Sequence, residues 1–414
     1  MKYSDTKWDF KQADTKEFTH CFHSYPAMMI PQIARKLIKS YSKNVKLLFD
    51  PYCGTGTSLV EANLKNIDGI GTDLNPLARL IAKVKTTPIN IQTLDLYLKD
   101  FNDKSFAIRF GIATKDEIKL PDFKNIDFWF AKNTQKYLAI IKDYINNIED
   151  INLQDFFRVA FSETVRDCSF TKKGEFKLVR IPLKKLQSFK PDVFGIMISK
   201  LLRNKKGLIE FMNSKNNGAN TNIYSFNSTY SIPQSIIPEK SVDLVITSPP
   251  YGDSRTTVAY GQFSRLANQW LDYDDASQID NNLMGGKKLN NYDFDSKILI
   301  ETISKIQNKD NKRAKDVISF FADYYKSISN VSSVTKKGAY ICYVVGNRTV
   351  KDTKIPTDII TKDFFESNGF KHKKTIIRNI PNKRMPSKNS PSNQVGKKSS
   401  TIKNEYIVIC QKQI

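Results

Sequence analysis

Cysteine is scarce in this chain of 414 residues and follows no pattern. The five cysteines are Cys21, Cys53, Cys168, Cys342 and Cys410. Their number is odd, they are scattered, and no two share a CxxC spacing, which argues against a disulfide framework and against a zinc site. No metal centre is therefore expected.

Long apolar runs are also missing from the sequence. No stretch approaches the roughly 18 consecutive apolar residues that a membrane-spanning helix needs. The N-terminal residues MKYSDTKWDFKQADTKEF contain no apolar segment of the kind found in secretory signals. Together with the unpaired cysteines, these absences predict a cytoplasmic protein with reduced thiols and no membrane partner.

Acidic residues are few relative to basic ones. Lysine and arginine number 65 against 42 aspartates and glutamates, and the formal net charge is +23 at pH 7. Each lysine or arginine placed at a phosphate releases condensed counterions, and such an excess therefore favours a polyanionic partner such as nucleic acid. A basic protein from a lysine-rich proteome, without such a partner, is the alternative.

The apolar pattern predicts an α/β fold with a parallel sheet. Residues 45–50 (VKLLFD) form a short apolar run that ends in a glycine turn, residues 57–66 have helical spacing, and residues 69–73 (GIGTD) form a second short run. Strand, turn, helix and strand make one βαβ unit. Further strands are predicted at 222–226, 242–247, 338–345, 370–379 and 405–411, and helices at 134–148, 153–164, 316–331 and 358–366.

The spacing of these strands predicts a split domain. Residues 1–84 and 216–414 would form the catalytic domain, because nearly all strand signals lie there. Residues 85–215 would form an inserted, mainly helical region, and the polar segment 253–312 would be a second segment within the catalytic domain. Both segments could read bases or be purely structural.

One candidate site lies where the first strand meets the first helix, in the residues DPYCGTGTS. Gly54 and Gly56 allow a tight turn and close approach of the backbone to a ligand. Asp50 ends the strand, where its carboxylate can meet a ligand cation such as an amino group. Asp73 ends the next strand, about 20 residues on, where a carboxylate accepts hydrogen bonds from ribose hydroxyls. The third glycine of a dinucleotide fingerprint is missing, which favours an adenosine without phosphates.

Each of these features has a structural alternative. A lone GxG also occurs in ordinary strand–helix turns. Asp73 precedes Asn75-Pro76 and could be the N-cap of the next helix.

A second candidate site follows the strand VDLVIT in the residues TSPPY. The two prolines force an extended, rigid exit from the strand and have no N–H. The carbonyls of Ser248 and Pro249 can therefore act as acceptors for a planar amino group, and Tyr251 offers a ring on which a base can stack. An ordinary strand-ending Pro-Pro turn is the alternative.

The two sites together resemble those of the DNA amino-methyltransferases that act on cytosine N4 or adenine N6. DPYCGTGTS resembles the cofactor loop of that family, GIGTDLNP its acidic second-strand motif, and TSPPY its catalytic motif. The residues HSYPAMMIP at 23–31 resemble its N-terminal cofactor-flanking motif, although a basic residue is more usual at Met28. The resemblance covers residues near 45–80, 222–260 and 338–411.

This resemblance implies a doubly wound, mostly parallel, seven-stranded methyltransferase sheet that is Rossmann-like and ends in a β-hairpin. The implied cofactor is S-adenosyl-L-methionine. The expected cofactor-binding residues are Tyr25, Ala27, Asp50, Pro51, Gly54, Thr55, Gly56, Thr57, Asp73 and Leu74. The expected catalytic residues are Ser248, Pro249, Pro250 and Tyr251.

The chemistry expected is direct methyl transfer to an exocyclic amine of a base flipped out of double-stranded DNA. Serine at the first position of the catalytic tetrapeptide is commonest in the cytosine-N4 group, so Ser248 favours cytosine N4, with adenine N6 as the alternative. The chain lacks a Pro-Cys dipeptide, which argues against methylation of a ring carbon. The same motifs are also compatible with an RNA guanine-amine methyltransferase and with a catalytically silent DNA-binding subunit. A restriction–modification system with a separately encoded endonuclease is the expected context.

A lysine-rich loop near the C-terminus is the predicted phosphate contact. Residues 371–403 contain ten lysines and arginines and no acidic residue, which favours contact with DNA phosphates over a solvated loop, the alternative. The residues expected to bind DNA are Arg255, Lys383, Arg384, Lys397 and Lys398.

Overall fold

The computed structural model describes residues 1–112, 118–215, 218–252, 260–273, 278–380, 388–389, 399–400 and 402–413. Its strands are β1 (Lys2–Ser4), β2 (Leu47–Asp50), β3 (Asp68–Thr72), β4 (Thr221–Tyr224), β5 (Val242–Thr247), β6 (Thr335–Gly346), β7 (Arg348–Val350), β8 (Thr353–Ile355), β9 (Phe370–Asn379), β10 (Lys388–Asn389), β11 (Ser399–Ser400) and β12 (Asn404–Lys412).

The described α-helices are α1 (Pro31–Tyr41), α2 (Thr57–Asn63), α3 (Pro76–Thr86), α4 (Ile91–Arg109), α5 (Ile126–Trp129), α6 (Lys132–Asn146), α7 (Ile151–Cys168), α8 (Leu183–Leu186), α9 (Val193–Ser214), α10 (Tyr260–Trp270), α11 (Ile279–Asn282), α12 (Lys297–Gln307), α13 (Asn311–Val334) and α14 (Thr357–Ser367). Short 3₁₀ turns lie at Thr6–Trp8 and Phe18–Phe22. None of the helices in the described part of the chain is long and apolar enough to cross a membrane.

One mixed sheet organises the part of the molecule that contains the two candidate sites. Its strands lie in the order β1-β9-β12-β6-β5-β2-β3-β4. Strands β2 to β6 pair in parallel, whereas β12 runs antiparallel to both β6 and β9. The fold is therefore the predicted doubly wound sheet with a C-terminal hairpin of β9 and β12.

The structure adds an eighth strand to the seven that were predicted. Strand β1 pairs in parallel with β9 through Lys2, Tyr3 and Ser4, opposite Thr375 to Ile377. It has three residues and a mixed burial pattern, too short for a periodic apolar signal.

Both faces of the sheet are covered, which explains the continuous apolar runs in the sequence. On β6, Cys342 and Val344 pack in a core with α1 and α2, whereas Ile341, Tyr343 and Val345 pack in a second core with α12, α13 and α14. All five side chains are buried. The alternation places one layer of helices on each side.

The long segment between α3 and β4 is mainly helical, as expected, and packs in a third core that it shares with α3 and the N-terminal segment. Helices α4, α6, α7 and α9 supply most of its side chains. Helix α10, which follows the TSPPY motif, joins the same core. Its Trp270 is fully buried, with its ring 5.6 Å from that of Phe130 and 6.1 Å from that of Phe161. The domain boundaries predicted at residues 84 and 216 stay a prediction.

Candidate active site

The two predicted sites meet at one edge of the sheet. Asp50 ends β2, Asp73 follows β3, and Ser248 follows β5. Strand β2 lies between β3 and β5, and all three run in parallel. The carboxyl ends of parallel strands face one cleft, and the structure places both motifs there.

The loop after β2 depends on two glycines with left-handed backbone. Gly54 has φ +49° and Gly56 has φ +77°, a region that residues with a Cβ rarely adopt. Gly56 is the N-cap of α2, and a Cβ there would lie 3.0 Å from the Cβ of Ala82 on α3. Gly56 therefore turns the chain into α2, whereas Gly54 faces the cleft.

Asp73 holds the loop and the following helix together. Its Oδ2 accepts a hydrogen bond from the Gly54 N–H at 3.1 Å, and its Oδ1 accepts one from the Asn75 N–H at 2.8 Å. The alternative that Asp73 caps α3 is wrong, because the N-cap is Asn75, whose side chain accepts from the Leu77 N–H at 3.2 Å. Burial raises the pKa of the Asp73 carboxyl above its usual range.

Asp50 is 3% exposed and is surrounded by donors. Its carboxylate accepts hydrogen bonds from the Thr247 hydroxyl at 2.5 Å, from the Tyr52 N–H at 3.1 Å and from the Ser58 hydroxyl. Burial outweighs these donors and raises the pKa of Asp50 to about 6. An additional cation in the cleft would stabilise the ionised form.

The second-strand motif needs glycine at position 71 for a steric reason. A Cβ on Gly71 would lie 2.6 Å from a methyl carbon of Leu59 and 2.8 Å from the Cβ of Cys53. Within this loop, Cys53 thus packs against β3, and burial raises the pKa of its thiol. A buried thiol with a raised pKa is a poor nucleophile at neutral pH.

An open cavity of about 980 Å³, including its solvent-filled mouth, lies between these motifs. Expected cofactor residues that line it are Tyr25, Ala27, Asp50, Pro51, Gly54, Thr55, Thr57, Asp73 and Leu74, and expected catalytic residues that line it are Ser248 and Pro250. Gly56, Pro249 and Tyr251 are not among its lining residues. Arg255, Lys383, Arg384, Lys397 and Lys398 lie outside the described residues.

Several lining residues were missed by sequence reasoning. These are Phe226, Asn227, Ser228, Thr229, Tyr260, Leu283 and Met284, among others. Residues 226–229 follow the carboxyl end of β4, and the rule that ligands bind at that edge could have found them. Tyr260, Leu283 and Met284 come from the polar segment after the tetrapeptide, where no pattern pointed to the cleft.

An aromatic wall closes one side of the cleft. The rings of Tyr25 and Tyr260 stack with centroids 6.0 Å apart and planes 16° apart. The Asn75 amide donates to the Tyr25 hydroxyl at 2.9 Å and to the Ser264 hydroxyl at 2.8 Å. The N-terminal segment, α3 and α10 are thereby joined around the site.

The tetrapeptide after β5 has a defined hydrogen-bond pattern. The Ser248 hydroxyl lies 3.2 Å from the Val344 carbonyl, to which it can donate, and 3.3 Å from the Tyr251 hydroxyl. The Tyr251 hydroxyl donates to the Glu405 carboxylate at 2.9 Å. The Tyr251 ring lies directly against Gly346, where a Cβ would approach it to 2.6 Å.

Comparison with known proteins identifies the family. A family model described as "DNA methylase" for N6 and N4 enzymes matches residues 2–83 and 242–413. The chain is 41% identical to the Type II methyltransferase M.MvaI of Kocuria varians, over 98% of this chain and 93% of that protein. The chain belongs to the N6/N4 DNA methylase family.

Other relatives match a smaller part of this methylase. The Type II methyltransferase M.MjaII of Methanocaldococcus jannaschii is 30% identical over 32% of this chain and 25% of its own length.

Among solved structures, the rRNA methyltransferase aviRa of Streptomyces viridochromogenes aligns with 94% of this chain and 88% of its own, at 10% identity and a TM-score of 0.33.

Family membership makes this methylase an S-adenosylmethionine-dependent DNA methyltransferase, and the cleft fits that cofactor. Among the described residues, the lining contains the carboxylates of Asp50 and Asp73 and no lysine, arginine or histidine. Such a cleft suits a ligand with a sulfonium and an ammonium charge, and it disfavours a ligand that carries phosphates. The described residues contain no cluster of histidine, cysteine and acidic side chains suited to a metal ion.

Proposed function

We propose that this methylase modifies the exocyclic N4 of cytosine in double-stranded DNA. The observation that carries the proposal is the orientation of Ser248. Its hydroxyl lies 3.2 Å from the Val344 carbonyl, to which it can donate its single hydrogen, and the oxygen lone pairs would then be left for the hydrogens of a target amine. Serine at this position also resembles the cytosine-N4 group more than the adenine-N6 group.

The chain's own residues would position the target amine and accept hydrogen bonds from its N–H groups. The amine lone pair is conjugated with the ring, and acceptors at Ser248 Oγ and the Pro249 carbonyl favour a more tetrahedral nitrogen. Pro249 and Pro250 keep this strand exit extended and free of competing N–H donors. The tetrapeptide thus acts by alignment and needs no covalent intermediate on the enzyme.

S-adenosylmethionine supplies an electrophilic methyl group on its sulfonium. Asp73 would accept hydrogen bonds from the ribose hydroxyls, and Asp50 would face the amino group of the cofactor. Tyr25 and Ala27 line the same cleft from the N-terminal segment. These side chains would hold the reacting partners together.

The target base would reach this cleft by flipping out of the duplex. Flipping costs a few kcal/mol, which stacking and polar contacts offset. We assign the stacking role to Tyr251, whose ring is fixed by Gly346 and whose hydroxyl is held by Glu405. The proposed context is a cytoplasmic restriction–modification system with a separate endonuclease.

Nucleoside mass spectrometry of treated DNA tests the proposal. Purified protein, S-adenosylmethionine and unmethylated bacterial genomic DNA should yield N4-methylcytosine, and Ser248→Ala should slow its formation without weakening cofactor binding. N6-methyladenine would keep the mechanism and correct the base. Methylation of RNA alone would refute the DNA substrate, and cofactor binding without methyl transfer would indicate a silent subunit.

A further inference from the structure

A charged pair, Glu405 and Arg378, lies directly behind the catalytic tetrapeptide and outside the two cleft motifs. Glu405 on β12 pairs with Gly346 on β6 and with Arg378 on β9. Its Oε1 accepts the hydrogen bond from the Tyr251 hydroxyl at 2.9 Å, and its Oε2 forms an ion pair with the Arg378 guanidinium. Each carboxylate oxygen thus has a donor of its own.

Arg378 is also held by carbonyl groups of the N-terminal segment. Its side chain is 3% exposed, its Nε donates to the Trp8 carbonyl at 2.7 Å, and its Nη2 donates to the Asp9 carbonyl at 3.2 Å. The neighbouring Asn379 N–H donates to the Asp9 carboxylate at 2.8 Å. Glu405 is therefore held by a rigid cation and can present only an acceptor to Tyr251.

This arrangement fixes the direction of the hydrogen bonds around Ser248. A tyrosine hydroxyl has one hydrogen, and in this structure Glu405 takes it. The Ser248 hydroxyl, 3.3 Å from that of Tyr251, therefore receives no hydrogen from the tyrosine. Both serine lone pairs stay available to the amine of the target base.

We propose that Glu405 is a positioning residue for methyl transfer: it keeps the Tyr251 hydroxyl turned away from Ser248, which then acts as an acceptor. The proposal rests on the proposed role of Ser248 in binding the target amine. It does not depend on whether that amine is cytosine N4 or adenine N6.

Glu405→Gln tests the direction of the bond with little change in shape. Arg378 needs an acceptor, so the glutamine oxygen should face Arg378 and its NH2 should face Tyr251. The tyrosine would then accept from the amide and donate to Ser248, which occupies one serine lone pair. Glu366→Gln is the matched control, since it makes the same chemical change far from the tetrapeptide. Glu366 lies at the end of α14, close in sequence to the start of β9, and that start pairs with the end of β12 opposite to Glu405.

The first measurement is independent of catalysis. NMR of protein with ¹³Cζ-labelled tyrosine reports whether the Tyr251 hydroxyl donates or accepts, with Tyr251→Phe used to assign its resonance. Glu405→Gln should shift this resonance, and Glu366→Gln should leave it in place. An unmoved resonance in folded Glu405→Gln protein overturns the proposal, whatever the enzyme methylates.

The second measurement is a double-mutant cycle on the rate of methyl transfer to bacterial genomic DNA. Glu405→Gln and Glu405→Ala should each lower kcat roughly fivefold to tenfold, the value of about one hydrogen bond, with unchanged affinity for S-adenosylmethionine. In a Tyr251→Phe background the same substitutions should have no further effect, because the hydroxyl through which Glu405 acts is absent. Equal losses in both backgrounds would indicate a merely structural role and refute the proposal.

The cycle also separates this inference from the proposed function. Mass spectrometry of the wild-type product decides the methylated base, whereas the coupling between Glu405 and Tyr251 is measured on total methyl transfer. If no methyl transfer occurs, the proposed function fails and the tyrosine resonance still decides the inference.

Discussion

Cofactor affinity should depend on pH through Asp50, in a window set by its burial. The carboxyl has a pKa of about 6 in the folded protein, raised from 3.8 by burial. The protonated form is favoured by folding, so the stability that it contributes is present below about pH 4 and is lost as pH rises through about 6. The ionised form is the one that attracts a cofactor ammonium.

The expected magnitude follows from the ionised fraction. With a pKa of about 6, roughly nine-tenths of Asp50 is ionised at about pH 7 and one-tenth at about pH 5. If only the ionised form binds well, the affinity for S-adenosylmethionine should fall about tenfold across this window. An α-amino group stays largely protonated over the same range, so the cofactor itself does not cause the change.

Isothermal titration calorimetry of the protein without DNA measures this dependence. Asp50→Asn should bind the cofactor weakly and with a flat pH profile, because the amide can still accept from Thr247 and Tyr52 but has no charge to lose. A flat profile in the wild-type protein would refute the reasoning. The same slope in Asp50→Asn would assign the titration to another group, such as Asp73.

Two further outcomes are expected. Asp73→Ala should weaken cofactor binding, measured by calorimetry, about tenfold to a hundredfold. Charge-assisted hydrogen bonds are worth ~1.5–3 kcal/mol, and the Gly54 N–H also loses its acceptor. Unchanged affinity in folded protein would contradict the assignment. Neutralising Lys383, Arg384, Lys397 and Lys398 should weaken binding to all duplexes equally. It should also reduce the slope of log K against log salt concentration by up to about 3.6. A changed sequence preference with an unchanged salt slope would assign base reading to this loop.

The sheet could be predicted largely because its strands are buried on both faces. Strand β5 at Val242–Thr247 and strand β9 at Phe370–Asn379 have the predicted bounds. Helix α13 is longer than the predicted 316–331, since it begins after Asp310, which caps it by accepting from the Arg313 N–H at 3.0 Å. Apolar periodicity marks the buried centre of an element better than its polar ends.

The parts of the site that could not be predicted depend on contacts distant in sequence. Helix α10 lies in a segment that read as polar, although Phe263, Leu266 and Trp270 have helical spacing and are buried. The ion pair between Arg378 and Glu405 joins the two strands of the C-terminal hairpin. In the sequence alone, Arg378 is one positive charge in a basic run and has no visible partner. Pairing of charges across strands follows from register, which a single sequence does not show.

The core shared by α10 and the inserted helices sets the boundary of any transplant between methylases. A chimaera that exchanges only residues 85–215 would replace Phe130 and Phe161, the ring partners of the fully buried Trp270, with residues of another chain. Trp270 lies on the same helix that carries Tyr260 to the cleft, so a mismatch in this core would act on the site. The unit that can be exchanged between methylases is therefore discontinuous in sequence. An exchange of recognition segments that keeps activity has to include residues 260–270 together with the inserted helices.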